Sequence, residues 1–88
     1  MKLLACSIGL VLCLTSISFA SNECSGYGCR ELDTRFSDAQ PLVCKNGRKG
    51  VLFIDGNQYW VTNTNYEKKT KTHYDRKCAA VAQYCYPY

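Results

Sequence analysis

The sequence predicts a small α+β domain stapled by disulfides, with a three-stranded antiparallel meander and a C-terminal helix. Three observations carry this. Two turn dipeptides, Asn46-Gly47 and Asp55-Gly56, separate runs of strand-forming residues. Tyr74, Cys78, Val81 and Cys85 recur at helical spacing behind a Thr72–Asp75 capping signature. Five cysteines remain in a short chain once an apolar leader is set aside.

The leader comes first. Lys2 gives a positive start, Leu3–Leu14 an apolar run, and Ser18-Phe19-Ala20 a small-residue cleavage site, so residues 1–20 read as a cleavable export signal. A membrane anchor would need about 20 apolar residues, and this run turns polar at Thr15. Residues 21–88 are the expected mature domain, with no stable membrane insertion. A domain of this size buries too little surface to dispense with covalent staples.

Residues Arg30–Ala39 form a weak helix candidate, with Leu32 and Phe36 four apart and an end near Asp38 set by Pro41. The strands follow at Leu42–Lys45, Arg48–Ile54 and Asn57–Asn63. Two-residue turns set the expected register: Leu42 faces Val51, Leu52 faces Tyr59, and Val51 faces Trp60. One face then carries Leu42, Cys44, Val51, Phe53 and Trp60, and the other Val43, Leu52, Ile54, Tyr59 and Val61. Both are apolar. A sheet with one wet face alternates more cleanly, so something covers each face or one face binds a partner. The C-terminal helix is the natural cover, and Pro87 stops it. The rival for Val81–Tyr86 is a further strand.

Cys24, Cys29, Cys44, Cys78 and Cys85 give two bridges and one spare thiol, and whichever cysteine is left out, three pairings of the others remain. The spare is either free or available for a disulfide-linked dimer. Metal is not expected: Cys78 and Cys85 are too widely spaced for a zinc ligand pair, and His73 is the only histidine. No other cofactor is expected.

Without Lys2 there are ten basic residues against seven acidic. The basic ones cluster at Lys45, Arg48 and Lys49, at Lys68, Lys69 and Lys71, and at Arg76 and Lys77. This is compatible with anionic partners without demanding them. His73 and Glu67, with a nearby cation, are the nearest thing to a nuclease set, but nothing in the sequence makes them converge, so no catalytic residue is assigned. Phe53, Tyr59 and Trp60 beside basic residues could stack bases, which makes RNA the alternative partner. Ten aromatic residues follow the leader. The tail Tyr84-Cys85-Tyr86-Pro87-Tyr88 cannot bury all its rings, and exposed tyrosines are common protein-binding anchors. Tyr59, Trp60, Lys45, Arg48 and Lys49 are the expected binding residues.

Tyr27-Gly28-Cys29 lies just after the predicted cut. It resembles the Tyr/Phe/Trp-x-Cys motif of small secreted effector candidates of powdery mildew and rust fungi, many of them ribonuclease-like without the catalytic residues. The layout is similar too: leader, motif, short basic aromatic domain, late cysteine. The resemblance implies a Cys29–Cys85 bridge, leaving Cys44 for Cys78 or Cys24. This chain is shorter and ends in a helix candidate. A second effector class, the small β-sandwich type, is similar in size and would need a terminal strand. Either resemblance implies a secreted, non-catalytic virulence protein that binds a host protein in the extracellular space or the host cell. An antimicrobial or toxin acting on membranes, and a small ribonuclease, are the alternatives.

Overall fold

The computed structural model describes residues 22–88, an antiparallel five-stranded sheet with one helix. The predicted export signal lies outside the described residues. After a 3-10 turn at Ser25–Tyr27, the strands are β1 (Cys29–Leu32), β2 (Ala39–Cys44), β3 (Lys49–Asp55), β4 (Gln58–Thr62) and β5 (His73–Tyr74), followed by α1 (Lys77–Cys85). The sheet order is β1-β2-β3-β4-β5. The α+β class and the C-terminal helix stand. The expected meander gains a strand at each edge.

The helix expected over Arg30–Ala39 is absent. Its first three residues belong to β1, with Cys29 opposite Cys44 and Leu32 opposite Leu42, and its last, Ala39, opens β2. One Leu–Phe pair at spacing four cannot nucleate a helix against the open edge of a six-residue strand. Asp33 ends β1, its Oδ1 accepting the Arg35 N–H in an Asx turn. Pro41 is tolerated inside β2 because it lies opposite this end: its carbonyl accepts the Asp33 N–H, and its missing donor falls where pairing stops.

The first hairpin has a longer loop than expected, and the second keeps a two-residue turn one residue further on. At the first, the Cys44 carbonyl accepts the Gly47 N–H and the Cys44 N–H donates to Arg48, closing a three-residue loop with Gly47 left-handed at φ 90°. That moves the register by one, so Leu42 faces Gly50 rather than Val51. At the second, Asp55 pairs with Gln58 around Gly56-Asn57, and only Gly56 has positive φ (62°). That moves the register by two, which preserves faces. Trp60 therefore leaves the face of Leu42 and Cys44 and lies with Val43, Val51 and Phe53.

The covered face carries Leu42, Cys44, Leu52 and Val61, and α1 lays Ala80, Val81, Tyr84 and Cys85 on it; all are buried. Gly50 is the seat of this packing. It leaves room for the Tyr84 ring, whose hydroxyl donates to the Lys49 carbonyl at 2.5 Å. The Thr72–Asp75 capping box does not form. Thr72 Oγ1 accepts from Lys68 Nζ, His73 and Tyr74 pair with β4, and Asp75 turns left-handed at φ 60° with its carboxylate on Asn57. Strand pairing takes these residues, so α1 starts later, at Lys77, and Tyr84 replaces the exposed Tyr74 on its buried side.

Two bridges pin the two ends of this nine-residue helix: Cys24–Cys78 and Cys44–Cys85, with Cα separations of 5.2 and 5.4 Å. A helix this short needs such support. The Cys29–Cys85 pairing implied by the effector resemblance does not occur, nor does Cys44 pair with Cys78 or Cys24. Cys29 faces Cys44 across the sheet, and Cys44 rather than Cys29 meets the last turn of α1. Among the described residues Cys29 is the free cysteine, fully buried, its thiol on the Glu31 carbonyl at 3.2 Å. A disulfide-linked dimer through it is not open to this fold.

Burial pushes the Cys29 thiol above its ordinary pKa. Its protonated form favours the folded state below the unfolded thiol pKa, and that contribution is lost as pH rises. A protein of residues 21–88 should thus ignore a thiol reagent at neutral pH while native and react once per chain after unfolding. Rapid native labelling would contradict the burial.

Candidate binding surface

The structure gathers an exposed tyrosine cluster at the β2–β3 hairpin end, built from both ends of the domain. The 3-10 turn brings Tyr27 to Gly28, which is left-handed at φ 81°. The Gly28 carbonyl accepts the Lys45 N–H at 2.7 Å, tying this turn to the hairpin. The tail arrives from α1. The Tyr88 ring lies on the backbone of Gly28, so closely that a Cβ there would overlap it. Tyr86 and Tyr88 meet edge to face with centroids 6.1 Å apart.

Asn46 is the clamp. Its Nδ2 donates to the carbonyls of both Cys85 and Pro87 at 3.0 Å, and its Oδ1 accepts the Arg48 N–H at 2.9 Å. The Cys44–Cys85 bridge fixes the base of the same tail. Arg48 stacks on Tyr84 at 4.3 Å and donates to the Tyr84 carbonyl. The three rings stay open to solvent, Tyr27 at 43 %, Tyr86 at 71 % and Tyr88 at 59 % exposed. This is large amphipathic contact area held in place, with little entropy left to lose on binding.

The other expected binding residues divide between places. Lys45 is exposed at the rim of this pole, while Arg48 is occupied in locking the tail. Tyr59 packs against the core on the helix side. Trp60 and Lys49 lie on the opposite, uncovered sheet face, where Trp60 pairs with Phe53 at 5.9 Å and 12° between ring planes, and Tyr66 meets Phe53 edge-on. Lys68 Nζ lies 5.7 Å from the Trp60 ring centre on the same face. His73 and Glu67 do not meet: His73 Nε2 contacts Gln83 at 2.7 Å, while the Glu67 carboxylate takes the Asn63 amide and lies 3.6 Å from Lys69. These two partners hold Glu67 below the usual carboxylate range, Asn63 more than Lys69.

Tyr27 of the motif and the tyrosine-rich tail were both legible as candidates. Their meeting was not, because it rests on Asn46, which reads in sequence only as half of a turn dipeptide. Comparison with protein-family models, curated proteins and solved structures finds no match.

Proposed function

We propose that this chain is an exported, non-enzymatic protein of the effector type that binds a host protein through the tyrosine pole. The observation that carries this is three exposed tyrosines at one pole, two of them on a tail held by a disulfide, a double Asn46 clamp and a tight Gly28 contact. Rigid exposed tyrosines are the side chains that anchor protein interfaces. Export is supported by the leader signature and by two disulfides, which persist in oxidising compartments. Among the described residues no helix is long and apolar enough to cross a membrane.

The test is capture of partners by the oxidised protein from cells of the host, followed by alanine substitution at the pole. Tyr86→Ala or Tyr88→Ala should each cost about 2 kcal/mol of affinity, roughly thirtyfold, with the thermal midpoint unmoved. Asn46→Ala should weaken binding through a loosened tail while leaving the core intact. Failure to retrieve any host protein, or full affinity in both tyrosine variants, rejects this reading.

A further inference from the structure

We propose that the uncovered face of the sheet is occupied by a second copy of this chain, packed face to face about a two-fold axis running parallel to the strands over β3. This goes beyond the tyrosine-pole reading and does not depend on it.

The face needs a cover. A sheet in a small domain buries both faces unless one is polar, and α1 lies on one side only. The other side presents Pro41, Val43, Val51, Phe53 and Trp60. Pro41, Val43 and Val51 line a cleft of about 390 Å³ together with Glu31, Asp33, Lys49 and Tyr66. Tyr66 is 70 % exposed with left-handed backbone at φ 64°, costly for a residue with a Cβ.

The order of charge across this face selects the occupant. One cross-strand row runs Asp33, Pro41, Val51, Thr62, Lys68. It is acidic at one end and basic at the other, with Val51 of β3 at its centre. A two-fold axis along β3 reverses this row in the second copy. Asp33 of each copy then lies over Lys68 of the other, with Glu31 one row away. The alternative two-fold, across the strands, sets the acidic edge over itself.

The in-chain partners leave this pairing open. Lys68 Nζ donates to Thr72 and lies 5.7 Å from the Trp60 ring centre, with no carboxylate partner among the described residues. Glu31 is 68 % exposed, with only Arg30 at 3.6 Å; Asp33 already holds Arg35, making Glu31 the freer carboxylate. Lys49 and Asp55 lie at the two ends of β3, where each comes near its own copy across the axis, which weakens the dimer.

At about 4.8 Å between strands and 3.3 Å per residue, the face measures about 19 by 20 Å, or about 380 Å² per copy, smaller than a standard specific interface. A weak dimer is expected. Because the axis runs along the strands, both tyrosine poles emerge at the same end, a bivalent display that raises avidity for a multivalent partner. The free Cys29 is buried, so the dimer is non-covalent.

Sedimentation equilibrium of the oxidised protein, produced through a secretory pathway, tests this. The expected result is a monomer–dimer transition at roughly tens to hundreds of micromolar. Val51→Arg should abolish it. Should that variant fold poorly, Lys68→Glu should weaken the dimer at least tenfold and Glu31→Lys added to it should restore it. Zero-length cross-linking of mixed isotopically labelled copies should join Lys68 to Glu31 or Asp33 between copies. A wild type monomeric to about 1 mM, or a dimer indifferent to Val51→Arg and Lys68→Glu, would overturn the proposal. If the monomeric protein also loses a host partner on Val51→Arg, the face belongs to that partner instead.

Discussion

Cys44→Ala combined with Cys85→Ala is expected to leave most of the domain unfolded at 37 °C. This bridge closes a loop with a sequence separation of 41. Loop-closure entropy puts its contribution at about 4 kcal/mol. A core of this size supplies only about 3–5 kcal/mol on its own. The variant also frees the last turn of α1, so Val81 and Tyr84 lose their anchor on the sheet and the tyrosine pole loses its base. Urea unfolding followed through the single tryptophan, Trp60, reads the change directly. Cys29→Ala is the contrast. It removes a buried thiol without opening a bridge and should cost about 1 kcal/mol. Under a Cys29–Cys85 pairing, Cys29→Ala would be as damaging as the loss of Cys85. Equal midpoints for Cys29→Ala and the double variant would therefore reject the connectivity found here.

Gly50→Ala is expected to cost about 3 kcal/mol, the upper end for an overpacked core. A Cβ at Gly50 would stand 2.6 Å from the Thr62 carbonyl oxygen and 2.7 Å from the Tyr84 ring. The carbonyl belongs to the sheet backbone and cannot retreat. The ring can move only by giving up its bond to the Lys49 carbonyl and its stack under Arg48. Gly26→Ala is the matched control, because nothing lies within 4 Å of that position; its stability should change by less than about 0.5 kcal/mol. If Gly50→Ala is as mild as Gly26→Ala, helix and sheet are not packed this closely.

Local signals carry through to the fold where one residue type answers one backbone need. Gly47 and Gly56 are left-handed at the two hairpins, although Asn46 and Asp55, the other halves of their dipeptides, are not. Cys78, Val81 and Cys85 share one side of a real helix because their spacing is helical. The same signals were silent on loop length. Asn46-Gly47 fits a two-residue or a three-residue hairpin, and the choice moved Trp60 to the opposite face. The Thr72–Asp75 pattern would cap an isolated helix, yet the free edge of β4 claimed His73 and Tyr74 for pairing.

The sequence by itself determined a small disulfide-stapled α+β domain, its two hairpins, its terminal helix, and a sheet apolar on both sides. These follow from periodicity, turn chemistry and cysteine number, which act over a few neighbouring residues. Only the tertiary structure decided which cysteine stands alone, which sheet face α1 covers, and that Tyr27, Tyr86 and Tyr88 share one end of the molecule. Each of those depends on contacts between residues tens of positions apart. There, a one-residue change in register exchanges the two faces, and a single side chain such as Asn46 can join two ends of the chain.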